Sequence, residues 1–258
     1  MRRFIADFHI HSRFSRATSP EMDLENVARW ARYKGIQLMG TGDFTHPAYF
    51  SEIKTKLEPA EDGIYRLKEG ERSTRFILTT EVCNIFDQGR RRNRRIHTLI
   101  FAPDVETVEK INKALSRYGD LSQDGRPTFT FPVKELVKMV LDCSERCLLV
   151  PAHAWTPWYS VFGANSGFDS LEECFEEEAK NVHSIETGLS SNPQMNWRLS
   201  ALDRITLISN SDAHSPNRIG REANVFCCEM RYDEIVRVIK EKDPRGFLFT
   251  IEFFPEEG

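Results

Sequence analysis

Apolar and polar positions along the chain follow two alternating rhythms. Short apolar runs of strand length recur at RFIADFHI (3–10), IQLMGTGD (36–43), TRFILTTEV (74–82), RIHTLIFAP (95–103), CLLVPAH (147–153), VHSIET (182–187), ITLISNSDAH (205–214), ANVFCCEM (223–230) and GFLFTIEFF (246–254). Segments with helical spacing lie between them: 23–35, 47–57, 104–117, 132–143, 170–178, 193–202 and 232–242. Asp23 is placed to cap the first of these helices and Gly35 to end it, and Pro47 suits a first helical turn. The polar, Gly-bearing stretch between the 74–82 and 95–103 strands reads as a long hairpin loop. Strands alternating with helices predict a parallel sheet or barrel. No internal repeat or linker divides the chain, so a single domain over 1–258 is expected.

Composition narrows the class. With 258 residues, 40% apolar and 29% charged, the chain is long enough to bury a large core without help from disulfides or a structural metal. No apolar run approaches membrane-helix length. The opening MRRFIADFHIH is interrupted by Asp7 too early for a signal peptide, which predicts a cytoplasmic protein. The net charge of −4 argues against a uniformly basic nucleic-acid binder and leaves room for a local basic groove. The six cysteines form no C-x-x-C pair and read as free thiols in a reducing compartment.

The chemistry gathers at strand ends. His9 and His11 end the first strand, Asp43 and His46 follow the second, and Glu81 ends the third. His97 starts the return strand, His153 ends LLVPAH, Glu186 ends HSIE, and Asp212 and His214 follow LISNS. Six of the seven histidines therefore sit with four carboxylates where α/β folds build their sites. Imidazole and carboxylate together suit zinc, iron or manganese. Carboxylates crowded in one cleft repel one another, and divalent ions relieve that repulsion.

DFHIHS (7–12), GTGDFTHP (40–47), TTEV (79–82), IHTLIF (96–101), PAHAW (151–155) and SNSDAH (209–214) occur in the order of the PHP (polymerase and histidinol phosphatase) superfamily, which the chain resembles from about residue 4 to 254. Within it, GTGDFTHP, TTEV, RRIHTLIFAP, PAHAWTPW and GLSSNP most resemble endonuclease Q, a DNA repair nuclease family that nicks beside deaminated bases and at abasic sites. The resemblance implies a distorted (β/α)7 TIM-like barrel with two or three divalent ions, zinc first, manganese or iron as alternatives. It implies that His9, His11, Glu81 and Asp212 hold one ion, and that Glu81 bridges to a second held also by His97 and His153. Asp43, His46 and His214 are the implied third position, or otherwise proton donors to the leaving oxygen. The expected catalytic set is Asp43, His46, Glu81, Asp212 and His214. Two departures touch the third position: Arg16 stands where most PHP enzymes carry an acid, and Phe44 follows Asp43 where many carry histidine. Endonuclease Q-like chains continue into a cysteine-rich zinc segment and a helical region, and the 258 residues contain neither.

DNA is the expected partner. Arg16 and the arginines of GRRRNRR (89–95), namely Arg90, Arg91, Arg92, Arg94 and Arg95, are expected to meet phosphates. Trp155 and Trp158, in the aromatic segment 154–168, are expected to stack on an extruded base or wedge the duplex, with Asn192 at the same mouth. The expected activity is a metal-dependent phosphodiesterase nicking damaged DNA. The rivals are a phosphatase acting on small phosphomonoesters and a non-catalytic nucleic-acid-binding module.

Overall fold

A computed structural model describes residues 3–257, so Met1, Arg2 and Gly258 of the expected 1–258 span lie outside the described residues. The elements run β1 (Phe4–Asp7), α1 (Leu24–Lys34), β2 (Leu38–Gly40), α2 (Pro47–Lys56), β3 (Leu57–Glu61), β4 (Ile64–Leu67), β5 (Arg75–Gln88), β6 (Arg91–Ala102), α3 (Val105–Leu115), β7 (Thr128–Phe129), α4 (Val133–Cys143) and β8 (Leu148–Pro151). They continue with α5 (Leu171–Phe175), β9 (Ser184–Glu186), α6 (Pro193–Asn196), β10 (Thr206–Ile208), β11 (Ala223–Phe226), α7 (Tyr232–Lys240) and β12 (Phe247–Ile251). The fold is mixed α/β.

Local chemistry sets the helix limits. The Asp23 carboxylate accepts from the Asn26 N–H, and Gly35 closes α1 in the left-handed conformation. Leu24, Val27, Ala28 and Ala31 form the buried stripe of α1.

In the main sheet β1 lies parallel to β2 and antiparallel to β11, and β2 lies parallel to β5. From β5 the sheet branches to β4 and β3 on one side and through β6 to β8 on the other. A separate parallel pair joins β9 and β10. Among the described residues no ladder joins β8 to β9 or β10 to β1, so the strand-to-strand path is open where a closed barrel was expected. The gaps are spanned at the strand ends, by Ala154 N–H donating to Glu186 O (2.9 Å) and by a parallel bridge between Ile10 and Ala213.

Period-two alternation carries the core into the site. On β5, Ile77, Thr79 and Glu81 share one face, and on β6 His97, Leu99 and Phe101 do. Ile77, Leu99 and Phe101 pack in one buried cluster with Phe8, Val150, Ile208 and Phe226. Glu81 and His97 continue these two faces, so an apolar plug lies beneath the chemistry.

Two expectations need correction, and one hairpin lies where no element was expected. The 83–94 stretch is not a loop: β5 and β6 run almost to a tight turn at Gly89 and Arg90, and the arginines Arg91–Arg95 lie on a strand. The segment after α2 folds into the β3–β4 hairpin, turning at Gly63 with φ +68°. The helix expected over 193–202 is four residues of α6 and a separate 3-10 turn at Ser200–Leu202.

A candidate metal centre at the strand ends

Six ligand-type side chains converge. His9, His11 and Asp212 bring three donor atoms together, and Glu81, His97 and His153 bring three more. His11 Nε2 lies 3.2 Å from Asp212 Oδ1, and His9 Nε2 lies 3.6 Å from the same oxygen. Glu81 spans both groups. Its Oε1 is 3.0 Å from His97 Nδ1 and 3.1 Å from His153 Nε2, and also 3.6 Å from His9 Nε2. Its Oε2 is 3.4 Å from His11 Nε2.

Groups one layer out decide the tautomers. His9 Nδ1 lies 2.9 Å from Glu186 Oε2 and His11 Nδ1 lies 3.1 Å from Asp43 Oδ1. In the neutral ring an N–H donated outward leaves the lone pair on Nε2, aimed inward. His153 Nδ1 lies 3.0 Å from Thr156 Oγ1, which itself donates to Trp158 O, so this histidine also keeps its Nε2 lone pair for the interior. His9 Nε2, His11 Nε2 and Asp212 Oδ1 are buried with no hydrogen-bond partner among the described residues. Buried polar atoms left so are costly. Imidazole nitrogens and carboxylate oxygens at this spacing fit a divalent cation of the zinc, iron or manganese type.

Electrostatics agree with that fit. Burial disfavours a charged Glu81, but His97, His9 and Arg126 overcome it and hold the carboxyl well below its usual range. Burial likewise opposes ionisation of Asp212, and His9 and His11 outweigh it, lowering that pKa too. Burial lowers His97 to about 4, so its ring is neutral at pH 7. Burial also opposes charge on His9 and His11, but Glu186 and Asp43 outweigh it and push both well above the usual histidine range. The bare centre thus sets anionic carboxylates beside a neutral His97 and beside protons on His9 and His11 that a bound cation would displace.

The backbone is bent to deliver these groups. Asp43, His153 and Asp212 adopt positive φ (44°, 30° and 47°), a conformation that costs a non-glycine residue about 1–3 kcal/mol. Gly188 permits the bend at His153, since a Cβ there would stand 2.6 Å from the His153 Cβ. Asp7 anchors the Asp212 loop by accepting from the N–H groups of Ser211 (3.0 Å) and Gly220 (2.9 Å).

The chain superposes on endonuclease Q from Pyrococcus furiosus, a lesion-specific endonuclease, with a TM-score of 0.86 and 31% identity over 100% of this chain and 60% of that one. The same values of TM-score and identity hold, over 98% of this chain and 60% of that one, for an endonuclease Q complex with a 27-mer duplex carrying an abasic lesion at the active site. This chain is closely similar to endonuclease Q. It spans 60% of the endonuclease Q chain. It is also 36% identical over 152 residues to the uncharacterized protein MJ0043 of Methanocaldococcus jannaschii, covering 58% of this chain and 16% of that protein. No family model matches the chain.

The remaining expected residues separate from the six converging side chains. Asp43 does not present a free oxygen: Oδ1 faces His11, and Oδ2 accepts from Ser12 N–H (2.6 Å), Ser12 Oγ (2.7 Å) and Ser15 Oγ (2.8 Å). His46 caps α2, its Nδ1 accepting from Tyr49 N–H, while its Nε2 lies 3.1 Å from Ser122 O. Its two ring nitrogens are spent away from the ligand groups. His214 stays close, with its ring 4.4 Å from that of His11 and its Nδ1–H donating to Asp212 O (2.9 Å).

The expected DNA contacts are also sorted. Arg16 is exposed and pairs with Asp124, and Arg90 is exposed at the β5–β6 turn. Arg91 is tied to Asp169 and Glu173, Arg92 to Asp87, and Arg94 donates to Gly167 O. Arg95 alone of this run connects to the centre: it lies over Trp158 and donates to Tyr159 Oη, and the Tyr159 ring lies 4.7 Å from His97. Trp158 is 45% exposed, whereas Trp155 is half-buried, packs on Phe162 and donates to Asn196 Oδ1 (2.7 Å). Asn192 caps α6 by accepting from Met195 N–H. Sequence reading missed Arg126, whose Nη1 donates to Glu81 Oε2 at 3.1 Å. The only signal was DGRP (124–127), a glycine beside a basic residue in an otherwise ordinary loop.

Proposed function

We propose that this chain is a metal-dependent phosphodiesterase that nicks DNA beside deaminated bases or at abasic sites, using water as the nucleophile. The observation that carries the reading is the set of buried, inward-facing donor atoms on His9, His11 and Asp212 that have no hydrogen-bond partner among the described residues, joined through Glu81 to His97 and His153. The likeness to endonuclease Q, solved once with an abasic duplex, supports DNA as the substrate. With it we read the strand arrangement as a PHP-type (β/α)7 barrel in a single domain, and the resident ions as zinc first, with manganese or iron as alternatives. Among the described residues no helix is long and apolar enough to cross a membrane. Among the described residues no disulfide joins the cysteines, and we read the protein as cytoplasmic.

His9, His11 and Asp212 would hold one ion and Glu81, His97 and His153 the other, with Glu81 shared. Ions bound there supply Lewis acidity toward the phosphodiester and lower the pKa of water. Glu186, Asp43 and Thr156 keep His9, His11 and His153 in the tautomers that donate lone pairs inward. Asp43 serves as a support of His11, and His46 as a helix cap. His214 Nδ1–H is committed to Asp212 O, so its Nε2 holds a lone pair. Burial beside His11 lowers its pKa, so at neutral pH it takes a proton from the attacking water more readily than it gives one to the leaving oxygen. Arg95 and Trp158 form the guanidinium-and-indole edge against which the nucleic acid lies.

The test is a nicking assay on a duplex with a single deoxyuridine, deoxyinosine or abasic site, with undamaged duplex and chelator as controls, beside a panel of phosphomonoesters. Damage-specific, chelator-sensitive nicking is expected. Hydrolysis of phosphomonoesters alone, or tight DNA binding without hydrolysis by metal-loaded protein, would overturn the reading.

A further inference from the structure

Among the described residues, two of the three side chains expected at a third position are spent elsewhere, and a fixed cation points into the centre. Asp43 and His46 spend their donor atoms inside the protein. Arg126 enters the same centre from the loop between α3 and β7 and touches Glu81 Oε2, the shared carboxylate. The surface arginines are tied elsewhere: Arg16 to Asp124, Arg91 to Asp169 and Glu173, Arg92 to Asp87.

Arg126 is held by construction. Two residues further on, Thr128 begins β7, which pairs with β5 at Cys83, and Cys83 N–H donates to Pro127 O at 2.9 Å. The Arg126 N–H donates to Asp124 Oδ1 at 3.1 Å. Gly125 lies against the support of His11: a Cβ there would stand 2.4 Å from both Asp43 Oδ2 and Ser15 Oγ. Gly125 N–H donates to Phe14 O, and Gly125 O accepts from Thr45 Oγ1. The loop can approach this closely only with glycine at that position, and the approach aims the next side chain at Glu81. The Arg126 side chain is one quarter exposed, so it reaches from the cleft into the centre. Among the described residues its guanidinium makes one hydrogen bond, to Glu81, out of five N–H donors. The free donors form the planar fork that suits phosphate oxygens.

We infer that Arg126 is a catalytic residue of the phosphodiesterase reaction, binding a non-bridging oxygen of the scissile phosphate and stabilising the charge that grows there. This rests on the function proposed above. Fixed donors at such an oxygen are worth on the order of 10²–10³-fold in rate.

The test compares wild type, R126K and R126A in three measurements: metal content by elemental analysis, binding of inorganic phosphate by calorimetry, and nicking of an abasic-site duplex with and without added guanidinium chloride at millimolar concentration. The expected result is unchanged metal content, phosphate binding weakened about tenfold in R126A, and a loss of about 10²–10³-fold in kcat. R126K recovers part of it, and guanidinium restores activity to R126A and not to wild type. R126A that nicks and binds phosphate like wild type would overturn the inference, as would R126A that loses its metals, since Arg126 would then support the ligands only. Wild type that binds phosphate through Arg126 yet nicks no damaged duplex would leave the anion site standing and remove the DNA-nicking reading.

Discussion

Two layers of ligand-type residues surround the same point, and they behave in opposite ways. The inner six, His9, His11, Glu81, His97, His153 and Asp212, turn donor atoms toward one another. The outer residues Asp43 and His46 are buried as deeply, yet their atoms are taken by Ser12, Ser15, His11, Tyr49 and Ser122. The carboxylates repeat the contrast. Glu81 and Asp212 face imidazoles and are pushed down, whereas Glu222 is pushed up to about 9 by burial, with Glu252 and Glu186 nearby adding to it. Residue type and placement at a strand end are the same in both layers. The direction of the lone pair, and the charge it meets, separate the convergent donors of the inner six from the spent ones of Asp43 and His46.

Substitutions should break this comparison in graded steps. Glu81→Ala removes the shared ligand and leaves His97 and His153 without a carboxylate, so elemental analysis should find metal lost from both groups and nicking should fall to background. Asp43→Asn keeps the inner six but weakens the hold on His11. A cost of about 10–100-fold in metal affinity or activity is expected, recovered in part at high metal concentration in a titration. A cost as large as that of Glu81→Ala would move Asp43 into the inner layer.

Glu222 tests the acid side. Its carboxyl keeps its proton in the folded chain up to about pH 9 and loses it near pH 4.5 when unfolded. Unfolding therefore releases a proton across that window, and stability falls as pH rises through it. Glu222→Gln should flatten this slope in urea melts at pH 5 and pH 8, stabilising the chain more at pH 8. The smallest effect is expected for His46→Ala. Loss of the α2 cap should cost about 1 kcal/mol, or roughly 2–4 °C in Tm, with nicking nearly unchanged.

Much of the inner layer was legible because strands have period two and short runs end abruptly. HIH, TTEV and SNSDAH each place a ligand type at or just past the end of an apolar run. The lone-pair directions were not legible: nothing in GTGDFTHP shows that Asp43 would face inward to Ser12 and Ser15, or that His46 would cap the helix that Pro47 begins. Arg126 was hidden for another reason. It lies in a loop, and its position depends on Gly125 meeting Asp43, a contact between residues 82 apart in sequence. The polar run GRRRNRR read as a loop because its charges masked an extended hairpin, whose register pairs Phe86 with Arg94 and Ile85 with Arg95. Ion pairs to Asp169, Glu173 and Asp87 are what allow that strand to carry so many arginines.

Anomalous diffraction from crystals of the zinc-loaded protein, recorded at the metal absorption edge, tests the division into layers most directly. Two peaks are expected, one within about 2.0–2.2 Å of His9 Nε2, His11 Nε2 and a carboxylate oxygen of Asp212, the other at the same range from Glu81, His97 and His153. A peak on Asp43 or His46, or no peak among the inner six, would contradict it.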